Sequence, residues 1–168
     1  MNTPPVPTLA YLLLGSNLGD RAALLAAARQ ELAATAGEIV AASGLYETAA
    51  WGREAQPAFL NQALVVRTGL RPKALLAACQ AAEQRAGRQR LEHWGSRSLD
   101  VDILLFGAEI VDTLTLTIPH PRLSERRFAL VPLAEIAGAR RHPQLHQTVE
   151  SRLFHCPDPL AVQPWAGE

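Results

Sequence analysis

Four apolar segments and two amphipathic ones alternate in the order β-α-β-β-α-β, and this order constrains the fold more than any other feature. The strand segments are rich in branched and aromatic residues, whereas the helical segments repeat apolar residues at helical spacing. The predicted strands span 9–14, 39–46, 59–68 and 99–106, and the predicted helices span 21–35 and 72–86. This order is typical of the ferredoxin-like split β-α-β arrangement, an α+β fold in which helices pack on one face of a mostly antiparallel sheet.

Cap and turn residues support these boundaries. Asp20 or Asn17 is available to cap the first helix, and Gly37 ends it. Pro72 suits the first turn of the second helix, which Gly87 stops. The helix limits therefore follow from local chemistry as well as from periodicity.

The other segments are predicted to extend the same core, so that residues 1–168 form a single domain with additional C-terminal helical segments. A loose lead-in, a hairpin arm, a helical region and a tail are expected at 1–8, 109–111, 123–136 and 138–168. The helical region is expected to break near Pro132, because proline lacks the N–H that an inner helical turn needs. The tail shows no pattern beyond a short helix near 147–153.

The composition excludes several classes of protein. Lys+Arg and Asp+Glu number 16 each, and a formal net charge of zero argues against a general nucleic-acid binder. The apolar run 9–14 is too short to cross a bilayer. Cys79 and Cys156 provide neither a disulfide framework nor a zinc quartet. We therefore expect a cytoplasmic protein with no membrane or nucleic-acid partner.

Asp100 and Asp102 stand at the start of the last predicted strand. Because side chains on a strand alternate, the two carboxylates share one face, roughly 7 Å apart, while the neighbouring apolar residues point to the core. Carboxylates in such surroundings are costly unless a charge compensates them, and Mg²⁺ prefers oxygen ligands. An arginine-rich loop, 88–97, just upstream suits a polyanion. The pattern favours magnesium-dependent nucleotide chemistry over the alternative that the aspartates merely end a buried strand.

Two other segments suit ligand binding, each with a structural alternative. Residues 15–20 could cradle a phosphate with backbone N–H groups, but they lack a P-loop lysine, and a tight turn is the better interpretation. Phe59 and Asn61 lie two apart on a strand and share a face, so a ring and an amide could recognise a flat heterocycle. Alternatively, Phe59 is core and Asn61 caps an edge.

Two basic segments complete the set. In the loop 88–97, Trp94 lies among arginines and could stack and bind anions, although a solvated basic loop is the alternative. His120 lies between two prolines and is followed by three arginines. This placement favours phosphate binding over a pure packing role.

Taken in order, these segments resemble the 6-hydroxymethyl-7,8-dihydropterin pyrophosphokinase family of folate biosynthesis. The resemblance covers about residues 9–137. The segments that carry it are LGSNLGD at 14–20, YET at 46–48, QPAFLN at 56–61, WGSRSLDVDI at 94–103 and PHPRL at 119–123. It implies a ferredoxin-like fold and a reaction in which the pterin hydroxymethyl oxygen attacks the β-phosphorus of ATP. Pyrophosphate is transferred and AMP is released, so the expected partners are two small molecules, ATP and the pterin, and the protein is expected to be a monomer.

The resemblance also implies roles for individual residues. The catalytic set would be Arg88, Arg97, Asp100 and Asp102, with both aspartates holding two Mg²⁺ ions that bridge the triphosphate of ATP, the co-substrate. ATP-binding residues would be Gln80, Glu83, Arg88, Trp94, Arg97, Ile103, Thr117, His120 and Arg126. Pterin-binding residues would be Thr48, Ala49, Trp51, Phe59, Asn61 and Phe128. Phe59 and Phe128 would sandwich the pterin ring.

Two other functions compete with this assignment. A different magnesium-dependent nucleotidyl- or phosphotransferase could use the same scaffold. An RNA-binding module would need exposed aromatic residues on its central strands and a basic face, and the sparse aromatics and neutral charge count against it. His93 and Ser96 depart from the family pattern, which concerns loop closure and rate more than the reaction.

Overall fold

The structure, a computed structural model, describes residues 5–49, 56–87 and 98–167. Eight strands are present in this part of the chain: β1 (Thr8–Ser16), β2 (Glu38–Ala42), β3 (Tyr46–Thr48), β4 (Phe59–Thr68), β5 (Asp100–Phe106), β6 (Val111–Asp112), β7 (Thr117–Ile118) and β8 (Val162–Pro164). The helices are α1 (Arg21–Thr35), α2 (Pro72–Arg85), α3 (Arg127–Ala137) and α4 (Val149–Phe154), with a short 3-10 helix at Leu123–Glu125.

The sheet places β1 at its centre. Strand β1 pairs antiparallel with β4 on one side and with β5 on the other. Strands β2 and β3 both pair with β4, and β8 adds to the outer edge of β3. Each of α1 and α2 therefore crosses over one intervening strand, as the split β-α-β arrangement requires. The predicted α+β, ferredoxin-like fold is confirmed.

Helices cover both faces of the sheet, not one as predicted. One core layer joins the sheet to α1 and α2 through residues such as Leu12, Leu25 and Leu75. The second layer joins the opposite face to α3 and α4, with Leu13 and Leu130 among its buried members. Because β1 is buried on both faces, it has an uninterrupted apolar run instead of an alternating one.

Local chemistry sets the limits of α1 as predicted. The Asp20 carboxylate accepts a hydrogen bond from the Ala23 N–H at 3.1 Å and so caps the first turn. Asn17 has a different role, since its side-chain amide donates to the Pro57 carbonyl at 3.1 Å. At Gly37 the backbone has φ of +147°, and an added Cβ would collide with the Arg67 carbonyl oxygen. A side chain is therefore excluded at this position.

Two predicted boundaries were wrong. The strand expected at 39–46 is two strands, because the Gly44 N–H turns away to the Glu135 carboxylate at 3.2 Å. Helix α3 continues through Pro132 instead of breaking there. Pro132 is itself buried together with Leu130 and Leu133, so burial of these apolar residues offsets the missing hydrogen bond.

The tail is more regular than predicted. It contributes α4 to the second core layer and β8 to the sheet edge. The Asp158 carboxylate accepts from the Arg127 N–H at 3.1 Å, which ties the tail to the start of α3. Within the described ranges, no helix has the length and apolar character that crossing a membrane requires.

Candidate functional site

Asp100 and Asp102 lie on one face of β5, as the strand parity predicts. Asp102 is opposite Leu13 of β1 and Asp100 is opposite Gly15. Both aspartates are half-buried, whereas Leu99 and Val101 are fully buried in the first core layer. The carboxylates therefore face the side of the sheet that α3 covers.

Arg126, at the N-terminal end of α3, lies close enough to these carboxylates to interact with them electrostatically. Burial lowers the pKa of the Arg126 guanidinium, and the charges of Asp102 and Asp100 act against that lowering. Arg126 also lies over the ring of Phe128, with its Cζ 5.6 Å from the ring centroid. The carboxylate pair thus faces a cation that belongs to the protein itself.

His120 is fixed beside this pair by backbone contacts. Its N–H donates to the Leu104 carbonyl at 2.9 Å, and its Nδ1 accepts from the Arg122 N–H at 3.2 Å. Burial lowers the pKa of His120 to about 4, with Arg126 lowering it further and Asp100 opposing both. The ring is therefore neutral near neutral pH, and its proton is on Nε2, where it can donate to an anionic oxygen.

Glu83 supports the carboxylate strand from the opposite side of the sheet. It is 5% exposed, and its Oε1 accepts from the Val101 N–H at 2.9 Å. That N–H lies between Asp100 and Asp102 in the sequence. The Glu83 side chain therefore fixes the backbone on which both carboxylates stand.

A row of residues paired across the sheet links the carboxylates to Asn61, one of the predicted pterin residues. Gly15 of β1 pairs with Asp100 on one side and with Asn61 on the other, and Asn61 pairs with Tyr46 of β3. Residues directly opposite each other share a face, so Asn61 and Asp100 lie on one surface, two strand spacings or roughly 10 Å apart. The Tyr46 hydroxyl donates to Glu135 of α3 at 2.6 Å, which identifies this as the α3 face.

Gly15 leaves room for the Asn61 side chain. A Cβ added at Gly15 would lie 2.7 Å from Asn61 Oδ1, closer than real contacts allow. Asn61 is 3% exposed, and its Nδ2 has no hydrogen-bond partner in the part of the chain that the structure describes. A buried donor without a partner is costly, so this amide suits a ligand that supplies an acceptor.

The other predicted pterin residues lie near this amide to different degrees. Phe59 is half-buried and stands two residues before Asn61 on the same strand face. Thr48 pairs with Phe59, and its hydroxyl donates to the Ala49 carbonyl at 3.0 Å. Thr48 is buried whereas Ala49 is exposed. Phe128 is half-buried at the start of α3, on the face that carries Asn61.

Apart from Glu83, His120 and Arg126, the predicted ATP residues divide into three groups. Gln80 and Thr117 are exposed, on α2 and β7. Ile103 is 5% exposed in the first core layer, so its side chain lies on the face of the sheet opposite the carboxylates. Three of them, Arg88, Trp94 and Arg97, lie outside the described residues. Trp51 of the predicted pterin set also lies outside them.

Sequence reasoning missed three contacts that shape the site. The hydrogen bond from Val101 to Glu83, the compensation of the aspartates by Arg126 and the close approach of Gly15 to Asn61 all join residues far apart in the chain. A glutamate beside the apolar positions of α2 was a signal for the first of these. The other two contacts have no local signature.

The donor set fits Mg²⁺. The two aspartates supply hard oxygen ligands on one surface, and among the described residues no cluster of three or more acidic, histidine or cysteine side chains forms a closed cage. Mg²⁺ is commonly held by one or two carboxylates and keeps its other positions for water and phosphate oxygens. An open pair beside Arg126 and His120 therefore suits a metal–phosphate complex.

Sequence relatives identify the family. The family model of 7,8-dihydro-6-hydroxymethylpterin-pyrophosphokinase matches residues 11–138. The chain is 49% identical over 132 residues to a 2-amino-4-hydroxy-6-hydroxymethyldihydropteridine pyrophosphokinase of Methylorubrum extorquens, covering 77% of this chain and 83% of that protein. A protein of the same name from Bacillus subtilis is 46% identical over 132 residues, covering 76% and 77%.

Solved structures agree at the level of the fold. A crystal structure of Plasmodium falciparum HPPK-DHPS with pteroate superposes with a TM-score of 0.71 at 16% identity, covering 92% of this chain and 43% of that one. An HPPK-DHPS in complex with substrates gives a TM-score of 0.69 at 16% identity, with coverages of 89% and 43%. This chain thus spans less than half the length of those proteins. On the family match and these identities, the chain belongs to the 7,8-dihydro-6-hydroxymethylpterin-pyrophosphokinase family.

Proposed function

We propose that this protein carries out the reaction of its family on the α3 face of the sheet, with the carboxylate pair and the Asn61 amide as its two ends. As a pyrophosphokinase of folate biosynthesis, it transfers pyrophosphate from ATP to the hydroxymethyl group of 6-hydroxymethyl-7,8-dihydropterin and releases AMP. The observation that carries the proposal is the row Asn61–Gly15–Asp100. It holds the Asn61 amide, proposed to recognise the pterin, and the Asp100 carboxylate, proposed to bind magnesium, roughly 10 Å apart on one surface.

Asp100 and Asp102 would hold magnesium, with two ions expected from the family resemblance. Bound Mg²⁺ would neutralise charge on the triphosphate and polarise its oxygens. The chain's own contribution is to hold the carboxylates rigidly, which the hydrogen bond from Val101 to Glu83 supports. Pyrophosphoryl transfer needs positioning and charge neutralisation more than a covalent nucleophile.

Arg126 and His120 would bind phosphate oxygens. Arg126 is positively charged. It interacts with the two carboxylates and lies over the ring of Phe128. Neutral His120 can donate from Nε2, because its Nδ1 accepts from the Arg122 N–H. Arg88, Arg97 and Trp94 are proposed to complete the nucleotide site, as the family resemblance implies.

The pterin would be recognised at Asn61. The unpartnered Nδ2 would donate to the polar edge of the ring. Phe59 and Phe128 would cover its faces, with Thr48 and Trp51 nearby. A ring bound here would lie on the same surface as Asp100, where the triphosphate would bind.

Release of AMP from ATP, measured with and without the pterin alcohol, tests the function. We expect release to require both the pterin and Mg²⁺, and pterin-independent release would point to a different phosphotransferase. Asp100→Asn should abolish the activity. Asp112→Asn is the matched control, since Asp112 is exposed on β6 and makes the same change of charge. Equal activity in both variants would contradict the assignment.

Three further expectations stand as proposals. The protein is proposed to act as a monomer, in the cytoplasm, and as one pyrophosphokinase domain over residues 1–168. The HPPK-DHPS structures belong to longer chains, so oligomeric state is best measured directly by sedimentation of the full chain.

A further inference from the structure

A basic cavity lies on the α3 face, away from the proposed active site. It has a volume of about 510 Å³, within the range of small-ligand pockets, and its lining includes Ala108, Arg140, Arg141, His142 and His146. Arg140 lies over the ring of Tyr11, 5.6 Å from its centroid. Tyr11 is two residues before Leu13, the partner of Asp102, and four before Gly15, the partner of Asp100, so the two carboxylates stand roughly 7 Å and 13 Å farther along the strand.

The cationic side chains around this cavity are not paired with carboxylates. Arg141 donates to the His146 carbonyl and Arg152 to the Gln147 side-chain oxygen, both at 2.9 Å. Among the described residues, no carboxylate forms an ion pair with Arg140, Arg141 or Arg152. In a chain whose formal charge is zero, this leaves a local excess of positive charge.

The acidic residue that is nearest in sequence does not compensate the three arginines. Glu150 is the one acidic residue in 139–157. Its Cβ lies 3.7 Å from the position that a Cβ on Gly138 would occupy, and its side chain is exposed. Glu150 thus stands beside the end of α3 and takes no part in an ion pair with the three arginines.

Buried donors in this cluster lack partners. Among the described residues, no acceptor bonds to the buried Nε of Arg140, which lines the cavity, or to that of Arg152, which lies on helix α4. His142 is 7% exposed, and its Nδ1 accepts from the Gln144 and Leu145 N–H groups at 3.2 Å, so the neutral ring carries its proton on Nε2. Unpartnered donors beside a cavity are costly unless an acceptor binds there.

The backbone around the cavity is fixed by its own hydrogen bonds. The His142 N–H donates to the Gln147 carbonyl at 2.8 Å, and the His146 N–H donates back to the His142 carbonyl at 2.9 Å. Arg141 and Thr148 form a β-bridge that closes the loop. His146 has φ of +57°, an unfavourable conformation for a residue with a side chain. The positive side chains are therefore presented by a rigid turn.

We propose that this cavity is a binding site for a small phosphate-bearing anion, separate from the nucleotide site. Arginine binds phosphate oxygens through paired N–H groups, and several arginines without carboxylate partners suit a doubly charged ligand better than a carboxylate with one charge. The cavity volume accommodates a phosphate or diphosphate group with a small attached organic part. This inference does not depend on the proposed reaction.

Nuclear magnetic resonance of the histidine rings in the full chain tests the proposal. Inorganic phosphate and inorganic pyrophosphate are titrated in separate arms, in the absence of ATP and Mg²⁺, with sodium chloride at equal ionic strength as a control. We expect the His142 and His146 signals to move and saturate with phosphate or pyrophosphate. Shifts that are linear in phosphate, or that sodium chloride reproduces, would overturn the proposal.

Substitutions separate this site from the active site. Arg140→Gln should weaken the affinity reported by His142 and His146 by about ten-fold or more, the usual effect of losing a charged hydrogen bond. Arg71→Gln makes the same change of charge on an exposed residue before α2 and should leave that affinity unchanged. Because Arg140→Gln could disturb packing on Tyr11, Arg141→Gln, on an exposed side chain, is made in parallel. Wild-type affinity in both cavity variants would overturn the proposal.

Discussion

Replacing Gly15 by alanine should damage pterin binding through Asn61. The new methyl group would lie 2.7 Å from Asn61 Oδ1, so the oxygen must retreat by about 0.7 Å to reach the 3.4 Å of an ordinary contact. The φ of Gly15 is outside the left-handed region, so alanine brings no backbone strain there. Recognition groups must usually be held within about 0.5 Å of their working position, and the expected displacement exceeds this tolerance.

The magnitude follows from the hydrogen bonds that the amide would lose. An unpaired buried polar group costs about 1–3 kcal/mol, which corresponds to a pterin dissociation constant raised by about 5- to 150-fold. Overpacking of the sheet should lower the free energy of unfolding by a similar 1–3 kcal/mol. ATP affinity should stay near the wild-type value, because Asp100 pairs with Gly15 through its backbone and keeps its own face.

Separate calorimetric titrations with the pterin and with a Mg-ATP analogue measure both affinities. Gly69→Ala is the matched control, since no atom of the described residues lies within 4 Å of a Cβ at that position. In a double-mutant cycle, Gly15→Ala should add almost nothing to Asn61→Ala if the methyl group acts through the amide. Unchanged pterin affinity in Gly15→Ala, or fully additive losses in the cycle, would refute the reasoning.

Three other predictions concern single residues. Asn61→Leu should weaken pterin binding by about 10- to 100-fold and spare ATP, and equal loss of both ligands in titrations would show a structural role. Glu83→Leu leaves the Val101 N–H unpaired and should lower the free energy of unfolding by about 1–3 kcal/mol, whereas Glu83→Gln retains an acceptor and should lose less in urea titrations. Burial lowers the pKa of His120 from 6.5 to about 4, so the neutral ring contributes to the free energy of unfolding above pH 6.5, and this contribution should be lost as the pH falls through about 4. The free energy of unfolding of His120→Asn should decline less over the same range. Unfolding midpoints across this range check it, and equal declines in both proteins would contradict it.

The sequence predicted those features that depend on local periodicity. Strand parity placed Asp100 and Asp102 on one face, and the side chain of Asp20 identified the start of α1. These features need only the alternation of a strand and the unpaired N–H groups of a helix end. They were confirmed because no distant contact overrides them.

The sequence could not predict features set by distant contacts. The aspartates were expected to need a metal as compensation, yet Arg126 of another segment already offsets part of their charge. If no cation compensated the pair, removal of one aspartate would raise the stability of the metal-free protein. Because Arg126 compensates it, we expect no such gain. Pro132 was expected to break a helix, but its burial depends on the packing of α3 against the sheet.

An irregularity in the sheet determines where His120 stands. Along the β1–β5 pair, Leu12 is opposite Ile103 and Tyr11 is opposite Leu105, so Leu104 has no partner on β1. The carbonyl of this extra residue instead accepts the His120 N–H at 2.9 Å. A deletion of Leu104 would give β5 a regular ladder and would remove the anchor of the histidine segment. A redesign that makes this sheet regular should thus improve the pairing of β5 with β1 and reduce the activity of the enzyme.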